Sequence, residues 1–309
     1  MNSPSATSER SPAAAHSQGI GLASIALAAI LWAVSANVAR TLFDDGVDPL
    51  DLTPARAYLA LICLATLRPW KVRPQGRTIG LIVALGMSIA LVNATYYVTI
   101  ERLPVAVAIV IQYTSPVLVI GWMSLGRRAL PGPDVLLGLI GAVAGVVLVS
   151  ELGSVSLDEI DGVGVGLALG SACLFATYTL LSEAAESKLG PAGSMFWAFG
   201  VATIFWIVVQ GVRGYPTELL GGDYLPRVAF VGIVGTFAPF LLFVWGLKRV
   251  ASERAVIAAS LEPPAAALVA WIWLGQSLSV LQIVGGVLVL AAVVSLQARV
   301  HEPARAPEP

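Results

Sequence analysis

Apolar stretches long enough to cross a bilayer recur from one end of this 309-residue chain to the other. A helix needs about 20 apolar residues for a crossing. Candidate spans fall at 20–42, 51–68, 78–100, 103–125, 134–151, 162–184, 193–211, 226–247, 251–274 and 279–298. In lipid the polar groups of the backbone must be satisfied within the segment, so these spans read as helices. Composition agrees, with 57% hydrophobic and 12% charged residues, where a soluble domain carries about 25% charged. The second span is the weakest, being short and carrying Asp51 and Arg56. The first is too long for a signal-peptide apolar region and has no basic segment just before it, so it reads as retained. Residues 1–18, rich in Ser, Ala and Pro, read as a disordered tail, and residues 299–309 as a second tail.

Several functions are excluded early. A net charge of −1 gives no basic field for nucleic acid. Cys63 and Cys173 lie in apolar segments without a CxxC pattern and read as small packing residues rather than a disulfide or metal site. His16 and His301 sit in the polar tails, so the commonest general base and metal ligand is missing from the spans. No HExxH or GxSxG motif is present, which argues against an intramembrane enzyme. No metal or cofactor is expected. "GVGVGLALG" at 162–170 opens a span with no strand before it, so it reads as close helix packing, as does the Gly141/Gly145 pair. "DDGVD" at 44–48 reads as a solvated acidic loop.

Lys and Arg set the orientation. With the N-terminus cytoplasmic, thirteen of the eighteen basic residues fall in inside loops or tails. Only Arg40, Arg102, Arg213 and Arg227 fall outside, and Arg56 is left within a span. Ten helices then place both termini in the cytoplasm.

The chain also resembles itself. At a shift of 143, Gly21 lies over Gly164, Leu31 over Leu174 and Trp32 over Phe175. At a shift of 147, Arg102 lies over Arg249, Pro116 over Pro263 and Gly138 over Gly285. Around Leu125-Gly126 and Leu274-Gly275 the halves slip by two residues. A five-helix repeat has an odd number of crossings, so the second copy must be inverted. Inverted repeats build many secondary transporters, with the site near the midplane between the halves.

"LEPPAAALVAWIWLGQSLSVLQIVGGVLVL" at 261–290, "SPVLVIGWMSLGRR" at 115–128 and "ILWAVSANVARTLF" at 30–43 resemble the EamA-type transporters of the drug/metabolite transporter superfamily. "TPARAYLALICLATLRPWKVR" at 53–73 looks like the second helix of the threonine/homoserine exporters within it. Gln276 stands where the family commonly has Glu after "LG". The resemblance covers about 20–298 as two repeats, 19–150 and 162–298. It implies an all-α integral membrane protein of ten transmembrane helices, two inverted five-helix repeats around a central cavity. It further implies export or exchange of small metabolites with no ATPase subunit, in the cytoplasmic (inner) membrane of a bacterium.

A charge at the bilayer centre costs roughly 2.5–3.5 kcal/mol, so it usually faces a cavity or a partner. Glu262 lies eight residues past Arg254, about 12 Å along a helix. It could bind a cationic amine, exchange a proton during transport, or hydrogen-bond across helices as a buried acid. Pro263 and Pro264 follow it, and Ser115-Pro116 is the counterpart in the first half. Broken helices at matching positions point to a cavity. Arg56 could hold a substrate carboxylate or snorkel outward to Asp48 or Asp51. Gln112, Tyr113, Asn93, Tyr96, Tyr97 and Asn37 could line a wet cavity or bond between helices. Trp32, Trp122, Trp271 and Trp273 read as packing or interfacial residues.

The expected function is secondary transport of small metabolites, foremost amino acids, by alternating access. Its partners are then a small-molecule substrate, membrane lipid and protons. Efflux of drugs or lipophilic cations is the alternative. A receptor or scaffold fits poorly, because the repeat carries paired proline breaks and no soluble domain is appended.

Overall fold

Apolar residues repeat along every span with few internal breakers, and the backbone closes its hydrogen bonds locally as a result. The computed structural model describes residues 12–154 and 160–301, and among these its regular elements are all helices. They are α1 (Pro12–Asp44), α2 (Pro49–Thr66), α3 (Arg77–Arg102), α4 (Val105–Gln112), α5 (Ser115–Arg127) and α6 (Pro133–Val149). Then follow α7 (Gly162–Arg213), α8 (Leu225–Gly232), α9 (Ala238–Leu247), α10 (Ser252–Ala259), α11 (Glu262–Leu274) and α12 (Val280–His301). Helix α1 begins at Pro12, so residues 12–18 of the expected tail are helical, while 1–11 lie outside the described residues. Likewise α12 reaches His301, and residues 302–309 lie outside.

Six helical runs are long and apolar enough to cross a membrane: His16–Asp44, Arg77–Thr99, Ala106–Arg127, Gly162–Arg213, Leu225–Leu247 and Ser252–Trp273. Pro133–Val149 and Val280–Leu296 are shorter apolar helices. The run over α7 has 52 residues, about 78 Å at 1.5 Å per residue and too long for one crossing. Gly190 bends it, with φ 70° and ψ 169°, and Pro191 starts the next turn without needing a donor. Side-chain caps fix two starts. Asp48 accepts from the Leu50 N–H ahead of α2, and Asp161 accepts from Val163 and Gly164 ahead of α7. The Val163 N–H, then Arg102, hold the Asp161 carboxyl below its ordinary range.

The internal repeat is visible in the elements. Helices α4 and α10 have eight residues each, α5 and α11 thirteen each, and every one of their ends is offset by 147. Helix α12 starts 147 residues after α6. Helix α5 ends on left-handed Arg128 and α11 on left-handed Gly275, again 147 apart. The two-residue slip at Leu125-Gly126 is therefore not real; the apolar LG pair matches by composition while the helix register holds.

Packing contacts are exchanged between the halves. A Cβ at Gly21 would meet Val250 and Arg249, and a Cβ at Gly164 would meet Leu103 and Arg102. Gly138 faces Leu296, and Gly285 faces Val149, at the same offset. This is the reciprocity of a two-fold contact, i to j and j to i. Trp32 and Phe175, the paired residues of the first alignment, touch each other with centroids 6.3 Å apart. Gly166 and Gly170 have open space around a built Cβ, so Gly164 makes the close approach in that stretch and the GxxxG pair does not. Gly145 does pack, against Val289 and the Gly285 carbonyl.

The acidic loop is not simply solvated. Asp44 pairs with Arg40, Asp45 with Arg227 and Asp48 with Arg213. Asp45 and Asp48 thereby tie the end of α1 to the second half of the chain. Away from this face, Arg127 meets Glu253 at 2.7 Å and Arg254 meets Asp134 at 2.6 Å. Both cysteines are free; Cys173 is exposed and Cys63 half-buried, so neither is a core packing residue.

Candidate functional site

Two interruptions meet in the middle of the molecule. Helix α4 stops at Gln112, Tyr113 and Thr114 form the break, and α5 resumes at Ser115. Helix α10 stops at Ala259, Ser260 and Leu261 form the break, and α11 resumes at Glu262. The prolines do not kink continuous helices. Pro116, Pro263 and Pro264 occupy the first turn after each break, where a helix has no use for their missing N–H. Glu262 is consequently the first residue of α11, and Ser115 takes the equivalent position in α5.

These breaks border a chamber of about 120 Å³. Its walls include Arg56, Asn93, Tyr96, Tyr97, Gln112, Tyr113, Ser115 and Glu262. An adjoining cavity of about 330 Å³ shares Ala36, Tyr96, Tyr97, Tyr113 and Glu262 with it. This outer cavity runs past Asn37 and Pro263 toward Arg40, Phe43 and Gln276. Of the twelve expected site residues, ten line one cavity or both. Pro116 is buried in the protein, and Pro264 packs near Gly286, so these two line neither.

The polar contacts are specific. The Tyr113 hydroxyl donates to Glu262 Oε2 over 2.7 Å. Arg56 is 7% exposed and does not snorkel. Its Nε donates to Thr236 Oγ1 at 2.9 Å and its Nη1 to the Tyr97 hydroxyl at 2.6 Å. The acids it could have reached are engaged elsewhere: Arg213 lies 3.0 Å from Asp48, and Gln210 donates to Asp51 at 3.3 Å. Asn37 donates to the Ala266 carbonyl at 3.3 Å, joining α1 to α11. Asn93 donates to the Ile89 carbonyl of its own helix, and the buried Gln112 Oε1 has no hydrogen-bond partner among the described residues.

Aromatic side chains close the chamber. Trp32, Phe175, Tyr178 and Phe240 line it. Tyr178 stacks on Phe243 at 5.7 Å, and Trp32 meets Phe240 edge-on at 5.5 Å. Trp32 is thus part of the wall, whereas Trp122, Trp271 and Trp273 are exposed on the outer surface. Such a lining combines a carboxyl, a guanidinium and apolar rings, which suits a small ligand bearing both charges. No cluster of metal-ligating side chains occurs among the described residues.

Sequence reasoning overlooked Thr236. It sits in a π turn, Ile233–Phe237, between α8 and α9. The signal was present in "IVGTFAPF" at 233–240: Pro239 cannot donate to the carbonyl four residues back, so the helix loosens there. Thr236 Oγ1 donates to the Val231 carbonyl at 2.9 Å and stabilises the wider turn.

The EamA-like transporter family model matches residues 19–151 and 162–296. An uncharacterized transporter of Archaeoglobus fulgidus is 27% identical over 273 residues, covering 88% of this chain and 94% of the relative. The threonine/homoserine exporter RhtA of Salmonella typhimurium is 28% identical over 261 residues, covering 83% of this chain and 84% of the exporter. The uncharacterized inner membrane transporter YicL of the same species is 23% identical, covering 93% and 98%. One solved crystal structure shares the fold with a TM-score of 0.73 at 16% identity, covering 93% of this chain and 99% of its own. Two family matches that account for most of the chain, on a helical membrane scaffold, make it a multi-pass member of the EamA-like transporter family.

Proposed function

We propose that the chain is a secondary transporter of small zwitterions, foremost amino acids, exporting or exchanging them by alternating access. One observation carries this reading: Arg56 and Glu262, drawn from different halves, line a single small chamber. Arg56 holds the substrate carboxylate and Glu262 the amine or a coupling proton. Similarity to a threonine/homoserine exporter points the same way.

Ten crossings as two inverted sets of five fit the exchanged glycine contacts and the bend at Gly190. With both termini cytoplasmic, the cavity past Arg40 and Gln276 faces outward, and the pairs Arg127–Glu253 and Arg254–Asp134 close the inner side. The bacterial cytoplasmic membrane is the expected location, in line with the relative named an inner membrane transporter.

The test is uptake of labelled amino acids into proteoliposomes, wild type beside Arg56→Ala and Glu262→Gln, with and without a pH gradient. Amino-acid flux lost in both variants supports the zwitterion site. Flux of organic cations that survives Arg56→Ala, with no amino-acid flux in the wild type, would favour cation efflux instead.

A further inference from the structure

We propose that Thr236, presented by the π turn Ile233–Phe237, is the positioning residue that sets Arg56 for a carboxylate-bearing substrate. The proposal deepens the zwitterion reading and rests on it for the identity of the anion. Arg56 is fixed from two sides. Thr236 accepts from Nε at 2.9 Å and Tyr97 from Nη1 at 2.6 Å. Tyr97 is itself held by Phe43, edge-on at 5.4 Å. A guanidinium has five N–H groups in a rigid fork. Two are used, and three remain on Nη1 and Nη2 for the chamber that Arg56 lines. None of the ion pairs among the described residues includes Arg56. Glu262 lines the same chamber but lies beyond ion-pair distance of Arg56, so the free N–H groups of the guanidinium are open to an anion there.

The turn is what brings Thr236 to that place. Thr236 is 2% exposed, and its hydroxyl accepts from Arg56 while donating to the Val231 carbonyl. The preceding Gly235 lines the chamber and abuts Ser35, whose Oγ stands where a Cβ would be. The widened turn thus lies against α1 on one side and reaches the α2 arginine on the other. π turns recur at functional sites because they redirect one side chain without ending the helix. Arginine's fork makes the aim matter: a small rotation about Nε moves the free N–H groups off a planar carboxylate.

Two measurements test this on the full-length protein, with Thr236→Val removing the acceptor at similar shape and Thr236→Ser keeping it. In detergent with ¹⁵N-arginine, the Arg56 Nε–H resonance is identified by its loss in Arg56→Lys. Thr236→Val is expected to speed its exchange with water at least tenfold, and Thr236→Ser to leave it within about twofold. In proteoliposomes Thr236→Val is expected to raise KM for the transported amino acid about tenfold at unchanged maximal rate, with Thr236→Ser near wild type. Unchanged Nε–H exchange in Thr236→Val overturns the proposal, as does an equal loss in the serine variant. The arginine signal reads out without any substrate. A wild type that moves no amino acid but shows the expected exchange pattern therefore sinks the zwitterion reading while upholding the anchoring of Arg56.

Discussion

Tyr113 and Glu262 lie 149 positions apart in the chain, yet the phenol donates to the carboxyl over 2.7 Å. Each stands at a helix break, one per half, so this bond joins the two interruptions across the chamber. Under the alternating access proposed above, this contact is remade during the cycle. Replacing Glu262 by Gln keeps the shape and a hydrogen-bond acceptor but removes the titratable group. Transport in Glu262→Gln is expected to lose its response to a pH gradient, whereas Tyr113→Phe should weaken transport by about tenfold and keep the response. Counterflow in proteoliposomes at two internal pH values reads both.

Arg56→Lys is expected to behave nearly as badly as Arg56→Ala. An ammonium is a point charge and cannot serve Thr236, Tyr97 and a carboxylate from fixed directions. Amino-acid uptake should fall at least tenfold in both variants. A lysine variant with wild-type KM would show that charge alone suffices.

The α6–α12 seam predicts a stability effect distinct from transport chemistry. A Cβ at Gly145 would stand 2.5 Å from Val289 Cγ2 and 2.7 Å from the Gly285 carbonyl. Overpacking of this kind costs typically 1–3 kcal/mol. Gly145→Val should therefore lower the melting temperature in detergent by several degrees. Gly166→Ala, which meets nothing within 4 Å, should leave it unchanged.

The pairs Arg127–Glu253 and Arg254–Asp134 join α5 and α6 to α10. Gln18 lines the small cavity between them. Asp134→Asn combined with Glu253→Gln should release this face. In a chain whose Cys63 and Cys173 are replaced by Ala, a cysteine at position 18 should then react several-fold faster with a membrane-impermeant thiol reagent from the side proposed to be cytoplasmic. Equal rates with and without the charge removal would show that these pairs do not hold the face shut.

Much of this was legible in the residues. Hydropathy marks where the chain can lie in lipid, and the proline steps after Ser115 and Glu262 mark where helices are interrupted. Arithmetic along a helix set Glu262 well in from Arg254, and it does line the chamber. Direction was harder. Arg56 has a long stem that reaches outward or inward equally well, and the difference was made by Arg213 and Gln210 engaging Asp48 and Asp51. Both come from 150 or more residues away, and no local pattern announces them. The same distance hid the partners of Asp45 and Asp48. The LG match misled because two small apolar residues recur cheaply in any membrane helix. Thr236 was missed because a threonine mid-span is ordinary; only the wider turn before Pro239 makes it special.

That turn also sets the angular phase of everything after it. A π turn spends one more residue per revolution than an α turn, and each α residue advances the helix by about 100°. Deleting a single residue between Ile233 and Phe237 would close the wide turn and keep α9 in phase, whereas regularising the turn at unchanged length would rotate α9 by about that angle. Phe240 and Phe243 would then leave the rings of Trp32 and Tyr178. One lost codon here should accordingly do less damage to the wall than one lost between Phe237 and Phe240, where no extra residue is at hand to absorb it.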